Sequence, residues 1–128
     1  MALEKVLVAG GSGFIGHHII KKCKENGYKV ASISLKIPEK INQQENVDYY
    51  AHDLRYPIEG DLIKSLAEVE YIINSSGYID HSQFNQKGYD VYDIHFLSVK
   101  NLINFSKFIN LKNFINFGSS DEDGAANP

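Results

Sequence analysis

Short apolar runs alternate with helical stripes along this chain, which predicts repeated strand–helix units around a mostly parallel sheet. The first strand is Lys5 to Ala9. Behind it Ile15, Ile19, Ile20 and Cys23 fall on one helical face, and Asn26-Gly27 supplies the stop signal. Cys23 therefore reads as core rather than as a nucleophile. A second strand runs from Lys29 to Ser34, after which Pro38 interrupts any helix through Lys36 to Lys40 and leaves a short helix or loop. Val47 to Ala51 is the third strand, ending at His52-Asp53-Leu54. Pro57 and Gly60 then turn the chain into a helix over Asp61 to Val69, with Asp61 as its N-cap. Tyr71-Ile72-Ile73 is the fourth strand, and Tyr78 to Gly88 is a polar loop. The longest helix spans Tyr89 to Phe108, on the spacing of Ile94, Leu97, Leu102, Phe105 and Phe108. Asn113 to Phe117 is the fifth strand.

The residues Gly10-Gly11-Ser12-Gly13-Phe14-Ile15-Gly16 join the first strand to the first helix. Glycines there let the chain turn sharply and bring bare backbone N–H groups against a pyrophosphate, while the helix presents the positive end of its dipole. Strand before and helix after are the context that this motif needs. The chain is thus expected to be α/β, a Rossmann-like doubly wound parallel sheet of about five strands. In such a sheet ligands bind beyond the carboxyl ends of the strands, where the other polar clusters also fall: Ser34-Leu35-Lys36, Asp53-Leu54, Asn74-Ser75-Ser76-Gly77 and Ser119-Ser120-Asp121-Glu122. Together they describe a cleft.

Composition narrows the class without naming a function. With 43% hydrophobic and 23% charged residues over 128 positions, the chain is one folded domain, expected to be an NAD(P)-binding domain over 1–128. A net charge of −3 with no clustered basic excess argues against a nucleic-acid surface. One cysteine allows no intrachain disulfide, and no apolar segment or cleavage pattern follows Met1, so a cytoplasmic protein that makes no membrane contact is expected. His17, His18, His52, His81 and His95 show no metal-site spacing, so no metal is expected, and His17 and His18 read as polar surface or loop support.

The assembled motifs resemble the extended branch of the short-chain dehydrogenase/reductase superfamily, the NAD-dependent epimerase/dehydratase family, over nearly the whole chain. Gly10 to Gly16 is similar to its Gly-x-x-Gly-Phe-Ile-Gly loop, and Asp53-Leu54 matches the Asp-Ile/Leu pair whose carboxylate takes the adenine amino group. Asn74-Ser75-Ser76-Gly77 is similar to the turn that packs along the cofactor, and Asn101-Leu102-Ile103 falls where the family has Asn-Leu-Leu. His95 stands in place of the family's usual Asn. Phe117 to Gly124 resembles the strand end of sugar 4,6-dehydratases, with Asp123 where a tyrosine is usual. The resemblance implies a catalytic hydroxyl at Ser120 or Ser119. In a dehydratase Asp121 would protonate a departing hydroxyl and Glu122 would abstract the proton from the adjacent carbon. A solvated acidic loop is the alternative reading of the same residues.

The superfamily's base, the tyrosine of Tyr-x-x-x-Lys, has no counterpart: none of the eight tyrosines is followed four places on by lysine. The chain is therefore expected to be the N-terminal cofactor-binding part of a longer oxidoreductase acting on nucleotide-sugars, inactive by itself and prone to self-association as a homodimer. The alternatives are a non-catalytic dinucleotide-binding module and a reductase of small carbonyls. For the cofactor, Ser34 stands where NAD-preferring members carry an acid, and Lys36 can pair with a 2′-phosphate, so NADP(H) is favoured over NAD.

Overall fold

The computed structural model describes residues 3–76 and 91–117, with the backbone alone for 91–94. Its strands are β1 (Lys5–Ala9), β2 (Lys29–Ser34), β3 (Val47–Ala51), β4 (Val69–Asn74) and β5 (Asn113–Asn116). They form one sheet in the order β3-β2-β1-β4-β5, and every pairing is parallel. The helices are α1 (Phe14–Glu25), α2 (Asp61–Ser65) and α3 (Val91–Ser106), and a 3-10 turn covers Lys40–Asn42.

Both faces of the central strand are buried, which is why β1 reads as an unbroken apolar run rather than an alternating one. Val6 and Val8 pack with Val30 and with Ile20 of α1. Leu7 and Ala9, one residue out of phase, pack on the other side with Ile72, Leu102 and Phe105, the last two from α3. Helices thus cover opposite faces, as a doubly wound sheet requires. Gly27, at φ +88, ends the first strand–helix unit, and the chain re-enters the sheet through Lys29 N–H, which donates to the Glu4 carbonyl at 2.9 Å.

Asn101 on α3 is buried, and its Nδ2 donates to the Leu54 carbonyl at 2.7 Å. That bond ties the helix to the chain leaving β3. At the opposite, amino-terminal edge of the sheet, Lys112 bridges Glu4 at 2.9 Å and Glu70 at 2.8 Å, and the Tyr71 hydroxyl donates to Glu4 at 2.8 Å. Hydrogen bonds from Lys112 and Tyr71 hold the Glu4 carboxyl below its ordinary range, and the Glu70 and Glu4 carboxylates push the Lys112 ammonium up.

Several boundaries differ from the sequence reading. The helix expected over Asp61 to Val69 stops at Ser65, and Val69 opens β4 opposite Lys5. Leu62, Leu66 and Val69 are spaced like a helical stripe, but the chain turns after Leu66, whose carbonyl accepts the Val69 N–H at 3.1 Å. Asp61 is not the cap; Gly60, at φ +59, holds that position without a side-chain bond, and Asp61 is the first helical residue. Strand β5 ends at Asn116, although Phe117 N–H still donates to the Asn74 carbonyl at 2.9 Å. The α3 helix ends at Ser106, so Phe108 lies beyond it and is 63% exposed instead of core. Tyr89 and the side chain of Ile94 lie outside the described residues. Cys23, Ile15 and Ile19 are half-buried, with Ile20 the fully buried member of that stripe.

Candidate functional site

The strand order reverses between β2-β1 and β1-β4, so a crevice opens beyond the carboxyl end of β1. The glycine loop fills its mouth. Gly10 turns the chain out of the strand at φ +83, with its N–H on the Ile33 carbonyl at 2.7 Å and its carbonyl accepting the Gly13 N–H at 3.1 Å.

The four glycines of this loop do different work. A Cβ on Gly10 would lie 2.9 Å from the Ser76 Cα, so Gly10 is required by the close approach of the chain leaving β4. On Gly11 it would lie 2.0 Å from Ser32 Oγ and 2.8 Å from Ile20 Cδ1. On Gly16 it would strike the Gly10 carbonyl oxygen at 2.1 Å, so this glycine lets α1 press against the loop. Gly13 differs. Its nearest neighbour would be the Gly10 carbonyl oxygen at 3.4 Å, an ordinary contact, and its φ of −79° suits any residue. The described protein gives no steric reason for glycine at 13.

Gly13 is also the N-cap of α1, with no side-chain cap and no acidic residue in the first turn. Its carbonyl accepts the His17 N–H at 2.8 Å, and helix geometry leaves the N–H groups of Phe14, Ile15 and Gly16 without intrahelical acceptors. Bare N–H groups, a positive dipole end and a glycine open to solvent describe an anion cradle.

Beside the cradle lies a cavity of about 600 Å³, walled on one side by Gly11, Ser12, Gly13 and Phe14 and on the other by Lys36 to Glu39. His17, His18 and Tyr49 also line it. Lys36 thus borders the same cavity as the loop. Ser34 is nearly buried, and its Oγ donates to the Lys36 carbonyl at 3.0 Å, bracing the turn that carries the lysine. The two histidines, read as polar surface, border the cavity because position 17 is one helical turn beyond Gly13. Gln44 clamps this edge: its Nε2 donates to the His17 carbonyl and its N–H to the Tyr49 hydroxyl, both at 2.9 Å. Phe14 is 81% exposed, with its ring edge-on to His18 at 4.7 Å.

The remaining strand ends are bound largely to each other. Asp53 receives the Arg55 Nε at 3.0 Å and the Arg55 backbone N–H at 3.0 Å. Partial burial raises the Asp53 carboxyl, but the Arg55 bonds outweigh it and leave the group below its ordinary value. Leu54 is buried in the core. Asn74, also buried, donates through Nδ2 to Asn116 Oδ1 at 2.8 Å, and its own Oδ1 accepts the Ser76 N–H at 3.0 Å and the Ser76 hydroxyl. Ser75 Oγ donates to the Ala9 carbonyl at 2.8 Å, tying the ends of β4 and β1 together. Ser75 is thereby a strut beneath the loop, and Asn116 and Arg55 are partners that the motif reading missed. Gly77, Ser119, Ser120, Asp121 and Glu122 lie outside the described residues. Among the described residues no group of three or more His, Cys, Asp or Glu is placed to hold a metal ion, and no helix is long and apolar enough to cross a membrane.

A family model for the NAD dependent epimerase/dehydratase family matches residues 6–128. The chain belongs to that family. Among solved structures it is similar to TunA, an NAD-dependent NDP-hexosamine 5,6-dehydratase involved in tunicamycin biosynthesis, at 17% identity and TM-score 0.73, over 98% of this chain and 40% of that one. It is similar to UDP-glucose 4-epimerase from Bifidobacterium longum, solved with NAD+ and UDP, at 27% identity and TM-score 0.68, over 91% of this chain and 37% of that one. UDP-glucose 4-epimerase from Thermus thermophilus, solved with NAD, matches at 23% identity and TM-score 0.61, over 80% of this chain and 33% of that one. The chain therefore spans about a third to two fifths of the length of these relatives, and the fold it shares with them is the five-stranded Rossmann-like sheet.

Proposed function

We propose that this chain is the NAD(P)-binding part of an epimerase/dehydratase-type oxidoreductase that acts on nucleotide-sugars. The observation that carries the reading is Gly13: its three neighbouring loop glycines are demanded by packing, and this one, at the uncapped start of α1, is open. A pyrophosphate approaching the backbone supplies the missing reason, since a side chain there would stand between phosphate and N–H. The residues present fit the cofactor, with a cradle at Gly11 to Gly16 and an adjoining cavity whose rim carries Lys36.

In this reading the N–H groups of Phe14, Ile15 and Gly16 hold the phosphates, and Asp53 receives the adenine amino group. Asn74 and Ser75 keep the β4 end against the loop. The bound nicotinamide supplies the hydride acceptor and donor. Ser120 or Ser119 is the hydroxyl that hydrogen-bonds the sugar oxygen, with Asp121 and Glu122 as acid and base if the reaction is a dehydration. The sugar class is supported by the similar structures, whose proteins are named for NDP-hexosamine and UDP-glucose. Lys36 beside the loop, together with Ser34 in place of an acid, supports NADP(H) over NAD. Because these 128 residues contain no Tyr-x-x-x-Lys, the chain alone is expected to turn over no nucleotide-sugar.

Titrating the chain with NADH and NADPH, followed by nicotinamide fluorescence, tests the reading. Saturable binding of at least one is expected, and failure of both at millimolar concentration overturns it.

A further inference from the structure

Asp53 lies just beyond the carboxyl end of β3 and beside the end of β2, where the His52 N–H donates to the Ser34 carbonyl at 2.8 Å. Three N–H groups of Arg55 hold its carboxylate. The Arg55 backbone N–H donates to Oδ1 at 3.0 Å, Nε donates to both oxygens at 3.0 Å, and Nη2 donates to Oδ2 at 2.5 Å. The guanidinium fork thereby grips both oxygens and fixes the plane of the carboxylate, while the backbone bond closes an Asx turn around it.

The turn that carries the arginine is itself tied down. Tyr56 N–H donates to the Asp53 carbonyl at 3.0 Å, and the carbonyl of buried Leu54 accepts Asn101 Nδ2 of α3. The guanidinium carbon lies 5.7 Å from the centre of the Tyr56 ring. Within the pair the arginine side chain is the more buried, 13% accessible against 25% for Asp53, so the acid is the member that reaches solvent. A carboxylate offers about four acceptor positions, and the three N–H groups of Arg55 take three of them, the Nε proton being shared between the oxygens. About one position is left, enough for a single N–H of an amino group.

We propose that Arg55 is a positioning residue of the adenine site: its fork locks the Asp53 carboxylate in the orientation that turns the remaining acceptor position to the adenine amino group. The inference rests on the dinucleotide reading above and adds to it a residue that acts on the cofactor only through Asp53. Lysine would not serve in its place, since a point donor without a planar fork can hold one oxygen but not the plane.

The test compares NADH and NADPH with their hypoxanthine counterparts, in which a carbonyl oxygen replaces the adenine amino group, at pH 7 on the 128-residue chain. The parent is expected to bind the adenine form at least about tenfold more tightly, because the carbonyl loses a charge-assisted bond and sets acceptor against acceptor. In Arg55→Gln that ratio is expected to fall to about threefold or less. Should Arg55→Gln fail to fold, Arg55→Lys carries the same expectation, since it keeps the charge and lacks the fork. A merely structural arginine would weaken both forms alike and leave the ratio unchanged. Failure of the parent to bind either NADH or NADPH would sink the dinucleotide reading and this inference with it. A parent that binds but does not distinguish the two bases would remove the Asp53 contact to adenine, and Arg55's role with it. A parental ratio retained in the folded variant would overturn the Arg55 assignment alone.

Discussion

The Cβ that Gly16 lacks would lie 2.1 Å from the carbonyl oxygen of Gly10, and backbone on both sides leaves nothing that can swing away. Helix α1 therefore rests on the loop through bare backbone. Gly16→Ala must push the helix off the loop, at a cost on the order of 1–3 kcal/mol as for other overpacked sites. Thermal melting is expected to show that loss, together with weakened NAD(P)H binding. An unchanged melting temperature would mean that the loop and helix do not meet in this way.

Gly13→Ala should behave in the opposite way. The added methyl meets only the Gly10 carbonyl oxygen at 3.4 Å and needs no change in backbone angles, so stability should stay within about 1 kcal/mol of the parent. A methyl group in the cradle should still cost about tenfold or more in dinucleotide affinity, or roughly 1.4 kcal/mol. Equal binding by this variant would remove the observation on which the proposed function rests.

These two glycines show where sequence reasoning stops. The motif placed both in one glycine loop, and the residue pattern matched the bounds of β1, β2 and β3; β1 and β2, buried on both faces, leave little ambiguity about their ends, whereas β3 is a half-buried edge strand that stops before His52-Asp53. Spacing could not say that Gly16 answers to protein and Gly13 to open space, since that depends on which backbone crosses nearby. For the same reason Ser75 read as a cofactor contact, although its hydroxyl is spent on the Ala9 carbonyl. A polar residue at a strand end looks alike in sequence whether it faces a ligand or ties two strands. The overlong second helix failed for a different reason. Leu62, Leu66 and Val69 keep helical spacing while the chain turns, and all three still reach one core.

The Asp53–Arg55 pair gives a pH signature. Arg55 lowers the Asp53 carboxyl relative to its unfolded value, so the folded chain gains stability where Asp53 is ionised, and loses it as pH falls through the lowered folded value. The contribution should be whole above about pH 5 and fade as pH falls below the ordinary Asp value near 3.9. For a partly exposed pair it amounts to at most about 1 kcal/mol. Asp53→Asn should therefore melt below the parent at pH 7 and converge with it only as pH falls below the lowered folded value. A gap that persists in acid would assign the effect to packing instead of charge.

Lys112 offers a variant remote from the site. It braces Glu4 and Glu70 at the amino-terminal edge of the sheet, whereas the cradle lies at the carboxyl ends. Glu4 is lowered, so its share is lost in acid, and Lys112 is raised, so its share is lost only as pH climbs through the raised value. The brace is intact across the neutral range. Lys112→Met should reduce the melting temperature, more so at low than at high salt, and leave NAD(P)H affinity unchanged. A change in affinity would mean that the two edges of the sheet are coupled.

In the proposed reading cofactor choice turns on the end of β2, where Ser34 spends its hydroxyl on the Lys36 carbonyl and Lys36 borders the cavity beside the loop. A carboxylate at 34 cannot donate to that carbonyl and is repelled by it. In the proposed reading it would instead accept the ribose 2′-hydroxyl of NADH and repel the 2′-phosphate of NADPH. Ser34→Asp is therefore expected to raise the ratio of NADH to NADPH affinity, and Lys36→Gln to weaken NADPH while sparing NADH. The lysine effect should shrink as salt is added, because an exposed charge pair is screened. Tighter binding of NADH than of NADPH by the parent chain would remove the proposed preference. In that case Ser34→Asp should change the ratio little, since the 2′-hydroxyl would already have its partner elsewhere.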